Sequence, residues 1–216
     1  MHIPDGFLTP QVFVSFWVVA LGGLTYVLNK TKQFLKERAV PLMGVTAAFI
    51  FAAQMLNFPI IGGTSGHLLG GVLAAVLLGP YAGAVVLSLV LIVQSLVFQD
   101  GGLTALGANI FNMAFIGAMG GYFIYAFLKK TTGLIVSVAI ASWFSVVSAS
   151  FVCAVQLVLS GTSVLKIVLP AMAGIHMLIG IGEAIITCLI ISFVHRVRPD
   201  LIYQMKPKLT EQSEPR

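Results

Sequence analysis

Charge is what this chain has least of. Of its 216 residues only 9% are Asp, Glu, Lys or Arg, against about 25% in a soluble domain. A surface so poor in charge cannot face water, which excludes an ordinary cytosolic enzyme and a disordered protein. The net charge of +5 rests on 12 basic and 7 acidic residues, too few for a nucleic-acid surface. There are two cysteines, Cys153 and Cys188, each inside an apolar run. They read as packing residues rather than a disulfide or metal pair. No phosphate-binding loop of the form G-x-x-x-x-G-K-[ST] occurs, since Lys30-Thr31 lacks the preceding glycine. The chain has no ATP-hydrolysing engine of that kind.

What is abundant is apolar sequence: 58% of residues are hydrophobic and the mean hydropathy is +1.02. A membrane-crossing helix needs about 20 mostly apolar residues. From Ala39 to Gln99 no residue is charged, and the run breaks near Asn57–Gly63 and at Gly79-Pro80. Pro10, Pro41, Pro80 and Pro170 each open an apolar run, where a missing N–H and a fixed φ suit a first helical turn. The pattern predicts an all-α integral membrane protein. Seven spans are expected near 9–28, 40–57, 65–79, 80–98, 104–128, 132–159 and 169–195, after an N-terminal loop 1–8 and before a tail 199–216.

With seven spans, eleven of the twelve basic residues fall on one side and only Lys166 on the other. The excess of Lys and Arg on cytoplasmic loops places the N-terminus outside and the C-terminus in the cytoplasm. Met1–Pro10 has no basic n-region and no cleavage site follows. The mature protein is therefore expected to begin at Met1, protected from trimming by the bulky His2.

Buried polar residues concentrate at the outer ends of the spans: Asn57, Thr64, Ser65, His67, Gln94, Gln99, Asp100, Asn109 and Asn112. Polar groups at membrane depth usually face an interior or a cavity, so a pocket open to the outside is expected. The third span, Ser65–Gly79, would be about 22 Å long at 1.5 Å per residue, short of a core of about 30 Å. It is expected to start below the surface with Thr64 or Ser65 as N-cap and His67 in its first turn. The bland alternative for each such residue is interhelical hydrogen bonding.

The opening Met1-His2 can chelate. The α-amine, the His2 amide nitrogen and His2 Nδ1 close a five- and a six-membered ring on one ion. They fill three corners of a square, and His67 is the candidate for the fourth. Tetragonal nitrogen sites suit Ni(II) or Cu(II).

Met1-His2-Ile3-Pro4-Asp5-Gly6-Phe7-Leu8 resembles the opening of the NikM/CbiM family, the nickel/cobalt substrate-binding S components of energy-coupling factor (ECF) transporters. The resemblance continues through Gly62–Gly71, Asp100–Asn109 and Asn112-Met113-Ala114, and ends with His176 and Glu183. It implies a seven-helix S component with an extra first helix, in a prokaryotic plasma membrane. It implies a metal substrate held by Met1, His2 and His67. Asp5, Thr64, Ser65, Gln94 and Asn109 are the candidates for an outer shell. Leu68-Leu69-Gly70 stands where the cobalt branch has Pro-Thr-Gly, so the chain resembles the nickel branch, with Co(II) as the alternative substrate; no organic cofactor is implied. The implied partners are a transmembrane coupling protein, two ATPase subunits and, in some members, a small accessory membrane subunit. Gly44, Ala48 and Ala52 form a small-residue stripe resembling the family's Ala-x-x-x-Ala docking face. The alternative for the stripe is packing within the chain.

His176 and Glu183 lie seven apart on one helix face. Glu183 is expected well below the depth of His67, and both are expected to bond neighbouring helices. Two competing functions remain. Gly63-Thr64-Ser65-Gly66 fits the nucleophile motif of a rhomboid intramembrane serine protease, with His176 as a distant base, although that family's His-x-x-x-Asn pattern is missing. A stand-alone metal channel or transporter would show inverted half-repeats or rings of charge, and neither is evident.

Overall fold

A computed structural model describes residues 1–34, 39–60 and 64–203. Gly62-Gly63, Lys36, Arg38 and the tail from 204 onward, with Lys206, Lys208 and Arg216, lie outside the described residues. The helices are α1 (Pro10–Phe34), α2 (Ala39–Gln54), α3 (Gly71–Leu78), α4 (Pro80–Val93), α5 (Leu106–Ile110), α6 (Gly121–Thr132), α7 (Leu134–Leu159) and α8 (Leu165–Val197). A π-type turn, Gln94–Phe98, extends α4, and wider turns over Phe111–Gly120 join α5 to α6 in one rod. Two three-residue strands, β1 (Phe58–Ile60) and β2 (Thr64–Gly66), pair antiparallel with Pro59 opposite Ser65.

Among the described residues, five helical stretches are long and apolar enough to cross a membrane: Pro10–Gln33, Pro80–Phe98, Leu106–Thr132, Leu134–Leu159 and Leu165–Val197. Their outward faces carry large exposed apolar side chains, among them Val18, Leu178, Leu189 and Phe193. Such a band is stable only against lipid, and the chain is a multi-pass membrane protein. The interior is formed by α3 and α4, enclosed by α2, the α5–α6 rod, α7 and α8, while α1 lies outside against α4 and α5.

Pro10 and Pro80 stand at first helical positions and Pro41 is the third residue of α2. Pro170 does not open its helix: α8 begins five residues earlier, at Leu165. The extended Val164 starts it, its carbonyl accepting from Ile167 N and Val168 N. Pro170 sits just past the turn whose N–H groups lack helical acceptors, so it removes a single bond. The helix α1 overruns the expected end at 28, carrying Lys30 and Lys32 on its last turns. Lys30 lies 5.8 Å from the Tyr26 ring, its stem running along the apolar face.

The third expected span is the main difference. Residues 65–79 do not form one helix: α3 covers only Gly71–Leu78, about 12 Å. Thr64 and Ser65 belong to β2 rather than to an N-cap, and His67 lies in an irregular strap four residues before the helix. The reason is local hydrogen bonding. Residues 64–66 pair with β1, and the amides of Leu69 and Gly70 are taken by Glu183 of α8. Helix can therefore start only after Gly70, whose φ of +74° and close approach to Ile50 exclude a side chain. Irregular backbone at membrane depth must be enclosed by protein, and His67, Leu69 and Gly70 are buried.

Candidate metal site

The N-terminal segment is threaded into the bundle. Met1, His2 and Ile3 are 0, 3 and 0% exposed. Ile3 N donates to Asn109 Oδ1 at 2.9 Å, and Ile3 O accepts from Gly102 N at 2.9 Å and Asn109 Nδ2 at 3.2 Å. The Asp5 carboxylate accepts from Leu103 N at 3.1 Å, Thr104 N at 2.7 Å and Thr104 Oγ1 at 2.5 Å. The Thr104 hydroxyl, with these amides, holds Asp5 below its usual pKa. Gly102 passes so close to the Pro4–Asp5 backbone that a methyl group would overlap it. Thr162 Oγ1 donates to Phe7 O at 2.5 Å, tying the segment to the α7–α8 turn.

These anchors deliver the chain end to His67. Met1 N lies 2.8 Å from His67 Nε2. His67 Nδ1 lies 2.8 Å from Leu68 O. A carbonyl only accepts, so Nδ1 carries the ring proton and Nε2 presents its lone pair to the amine. Ser65 stands over both main-chain nitrogens: its carbonyl accepts from Met1 N, and its Oγ accepts from Met1 N and His2 N, each at 3.3 Å. Burial pushes the Met1 amine down to about 5, against the opposing influence of Cys153 and Asp100.

The His2 ring stacks on His67 with centroids 4.4 Å apart and planes 17° apart. Its Nδ1 lies 3.0 Å from Asp100 Oδ1, and Asp100 Oδ2 accepts from Asn57 Nδ2 at 3.0 Å. Gln94 is fully buried beside His2, on the π-type turn. Such turns are frequent at functional sites.

Of the residues singled out in the sequence, Met1, His2, His67 and Ser65 are brought together, with Gln94 beside them. Asn109 and Asp5 act one step further out, on the backbone of the N-terminal segment. Thr64 points elsewhere, its Oγ1 2.9 Å from Met172 Sδ. Among the described residues no three His, Cys, Asp or Glu side chains gather as metal ligands; the convergence is of two rings and two main-chain nitrogens. Glu183 of α8 meets the strap that carries His67. Its oxygens accept from Leu69 N at 2.8 Å and Gly70 N at 2.7 Å, two and three residues along the same strap. His176 bonds its own helix rather than a neighbour, Nδ1 lying 2.7 Å from Met172 O. Sequence reading missed Asp100 as the partner of His2, Gln54 on the strap, and Cys153, whose Sγ is 4.0 Å from Met1 O. Asp100 ends the uncharged run and belongs to the polar set at the outer span ends, but neither signal named His2 as its partner.

The comparisons with known proteins agree with this architecture. Residues 2–201 match the CbiM family model, described as cobalt uptake substrate-specific transmembrane region. A putative fused nickel transport protein NikMN of Archaeoglobus fulgidus is 42% identical over 207 residues, 94% of this chain and 68% of that protein. A putative cobalt transport protein CbiM of Methanocaldococcus jannaschii is 31% identical over 227 residues, covering 100% of this chain and 96% of the relative. A crystal structure of a truncated transition metal transporter superposes with a TM-score of 0.86 at 36% identity, over 91% of this chain and 99% of that one. On the span of the family match and the identity of these relatives, the chain belongs to the CbiM family of metal transport proteins.

Proposed function

We propose that the protein is the substrate-capturing S component of an ECF-type importer, taking Ni(II) from outside for uptake driven by partner ATPases. The observation that carries this reading is the 2.8 Å between Met1 N and His67 Nε2. With metal–nitrogen bonds of about 2.0 Å, the edge of a square of ligands is about 2.8 Å. The amine and His67 already stand as neighbouring corners. The His2 amide, held at Ser65 Oγ, supplies the third. His2 Nδ1 supplies the fourth after its ring leaves Asp100 and the stack on His67. A deprotonated amide brings one negative charge, and His67 Nε2, which already presents a lone pair, need lose no proton to bind. The printed names of the relatives divide between nickel and cobalt, and the four-nitrogen square favours nickel.

The energy must come from elsewhere, and α2 offers a docking face. Gly44, Ala48 and Ala52 are all exposed, and nothing lies within 4 Å of a methyl placed on Gly44. That exposure leaves the stripe open to a partner helix. Ala48 also lines a groove of about 190 Å³ with Ala47, Phe51, Leu89, Val90 and Val93. Small stripes let helices approach closely. In this reading the coupling protein and its two ATPases meet the chain here, with any accessory membrane subunit elsewhere. Replacing Ala48 and Ala52 together by Leu will leave metal binding unchanged while co-purification with the coupling protein and transport both fail. A pull-down that still recovers the intact complex would return the stripe to the lipid.

The deciding experiment uses purified protein with its amino-terminal residue verified by mass spectrometry. Stoichiometric nickel with the yellow, diamagnetic spectrum of a square-planar complex supports the reading. Tight cobalt with no nickel would move the chain to the cobalt branch. No metal, with a fluorophosphonate label on Ser65, would favour a serine protease. Against that outcome, His176 makes no hydrogen bond to Ser65, whose Oγ instead serves Met1 and His2.

A further inference from the structure

His67 is carried on irregular backbone, so something other than helix geometry must hold it. The strap after β2 is gripped at Leu69 from two sides. Gln54, the last residue of α2, donates from Nε2 to Leu69 O at 2.7 Å. Glu183 of α8 accepts from Leu69 N at 2.8 Å with Oε2 and from Gly70 N at 2.7 Å with Oε1. Two successive amides, ending in the left-handed Gly70, form a concave nest for the carboxylate. Both side chains are 0% exposed. No cation pairs with Glu183 among the described residues, so its hydrogen bonds are spent on the strap alone.

Resting on the reading of His67 as a metal ligand, we propose that Glu183, opposed by Gln54, is the positioning residue that sets His67 as the fourth corner of the metal square. A carboxylate has two accepting oxygens, and both amides need one. Glutamine in its place must turn an NH2 toward one of those amides, donor against donor. The strap then shifts while the volume of the side chain is kept. Because His67 already points Nδ1 at Leu68 O, a shift at Leu69 moves the whole imidazole away from Met1 N. Glu183 touches no ligand nitrogen and would act only through the backbone.

The test compares four purified proteins with verified amino termini: wild type, Glu183→Gln, His67→Ala and the double variant. Ni(II) affinity and the absorption spectrum are read for each, together with metal-free thermal stability. Loss of an outer partner of a metal ligand costs about 10- to 100-fold in affinity. Glu183→Gln is expected to fall in that range, with a spectrum moved toward that of His67→Ala. In the double variant the second change adds no further loss, because His67 is no longer there to misplace. Wild-type affinity and spectrum in Glu183→Gln overturn the proposal, and so do losses that multiply in the double variant. Full nickel binding by His67→Ala would instead sink the underlying assignment of His67, a result distinct from either. Should Glu183→Gln not insert stably, Gln54→Met removes the opposite grip on Leu69 and carries the same expectations.

Discussion

A chain with one extra residue ahead of Met1 will insert into the membrane normally and transport no nickel. The extension converts the α-amine to an amide and moves the chain end away from His67 Nε2, now 2.8 Å distant. One added Gly or Ser also puts His at position three, which favours a chelate with a second amide that excludes His67. There is no space to absorb the addition, because Met1 and Ile3 are completely buried and Ile3 is held on both sides by Asn109. Deleting Met1 leaves His2 as the terminal residue and removes the amide ligand, with the same consequence. The loss of affinity in each case exceeds the roughly 100-fold attached to an outer-shell change. A tag placed after Arg216 is expected to be harmless. The measurement is uptake of labelled nickel by cells bearing the complete transporter, with the amino terminus of each variant checked by mass spectrometry. An uncleaved extension that transports at the unmodified rate would remove the amine from the ligand set.

His67→Ala is the second large effect. It deletes one corner of the square and leaves the other three nitrogens on the Met1-His2 chelate. Nickel affinity should fall by more than about 100-fold, the upper end of what an outer partner costs. The spectrum should show an ion completed by water or another donor. Folding should survive, because the imidazole bonds only Leu68 O and the Met1 amine and the strap is held independently at Leu69 and Gly70. Titration of purified protein with Ni(II), beside the melting temperature of the metal-free form, separates the two effects. Stoichiometric tight nickel in a folded His67→Ala variant would end the assignment. His176→Ala serves as the control and should keep most binding, since His176 turns its Nδ1 to its own helix at Met172 O.

Much of this molecule was legible in composition and periodicity. Long apolar runs opened by Pro10, Pro41 and Pro80 read as helices in a lipid solvent, because each must satisfy its own backbone. The chelating potential of Met1-His2 was equally visible, since it depends on covalent spacing within two residues. So was the exposure of a small-residue stripe on α2 as a question, though not its answer. Those features are local, and local chemistry is written directly in the order of residues.

The strap was decided by the folded bundle alone. Gly66-His67-Leu68-Leu69-Gly70 is apolar enough to read as the start of a helix, and the nearby pairing with β1 reaches only as far as Gly66. What forbids it is Glu183, more than a hundred residues later, which takes the amides of Leu69 and Gly70. The same holds for Asp100 against His2 and for Asn109 on Ile3. These pairings are long-range hydrogen bonds between groups excluded from water, where an unsatisfied donor costs far more than any local helix preference. Which amide meets which carboxylate is set by the packing of α2, α3 and α8 around one another, and no spacing along the sequence encodes it.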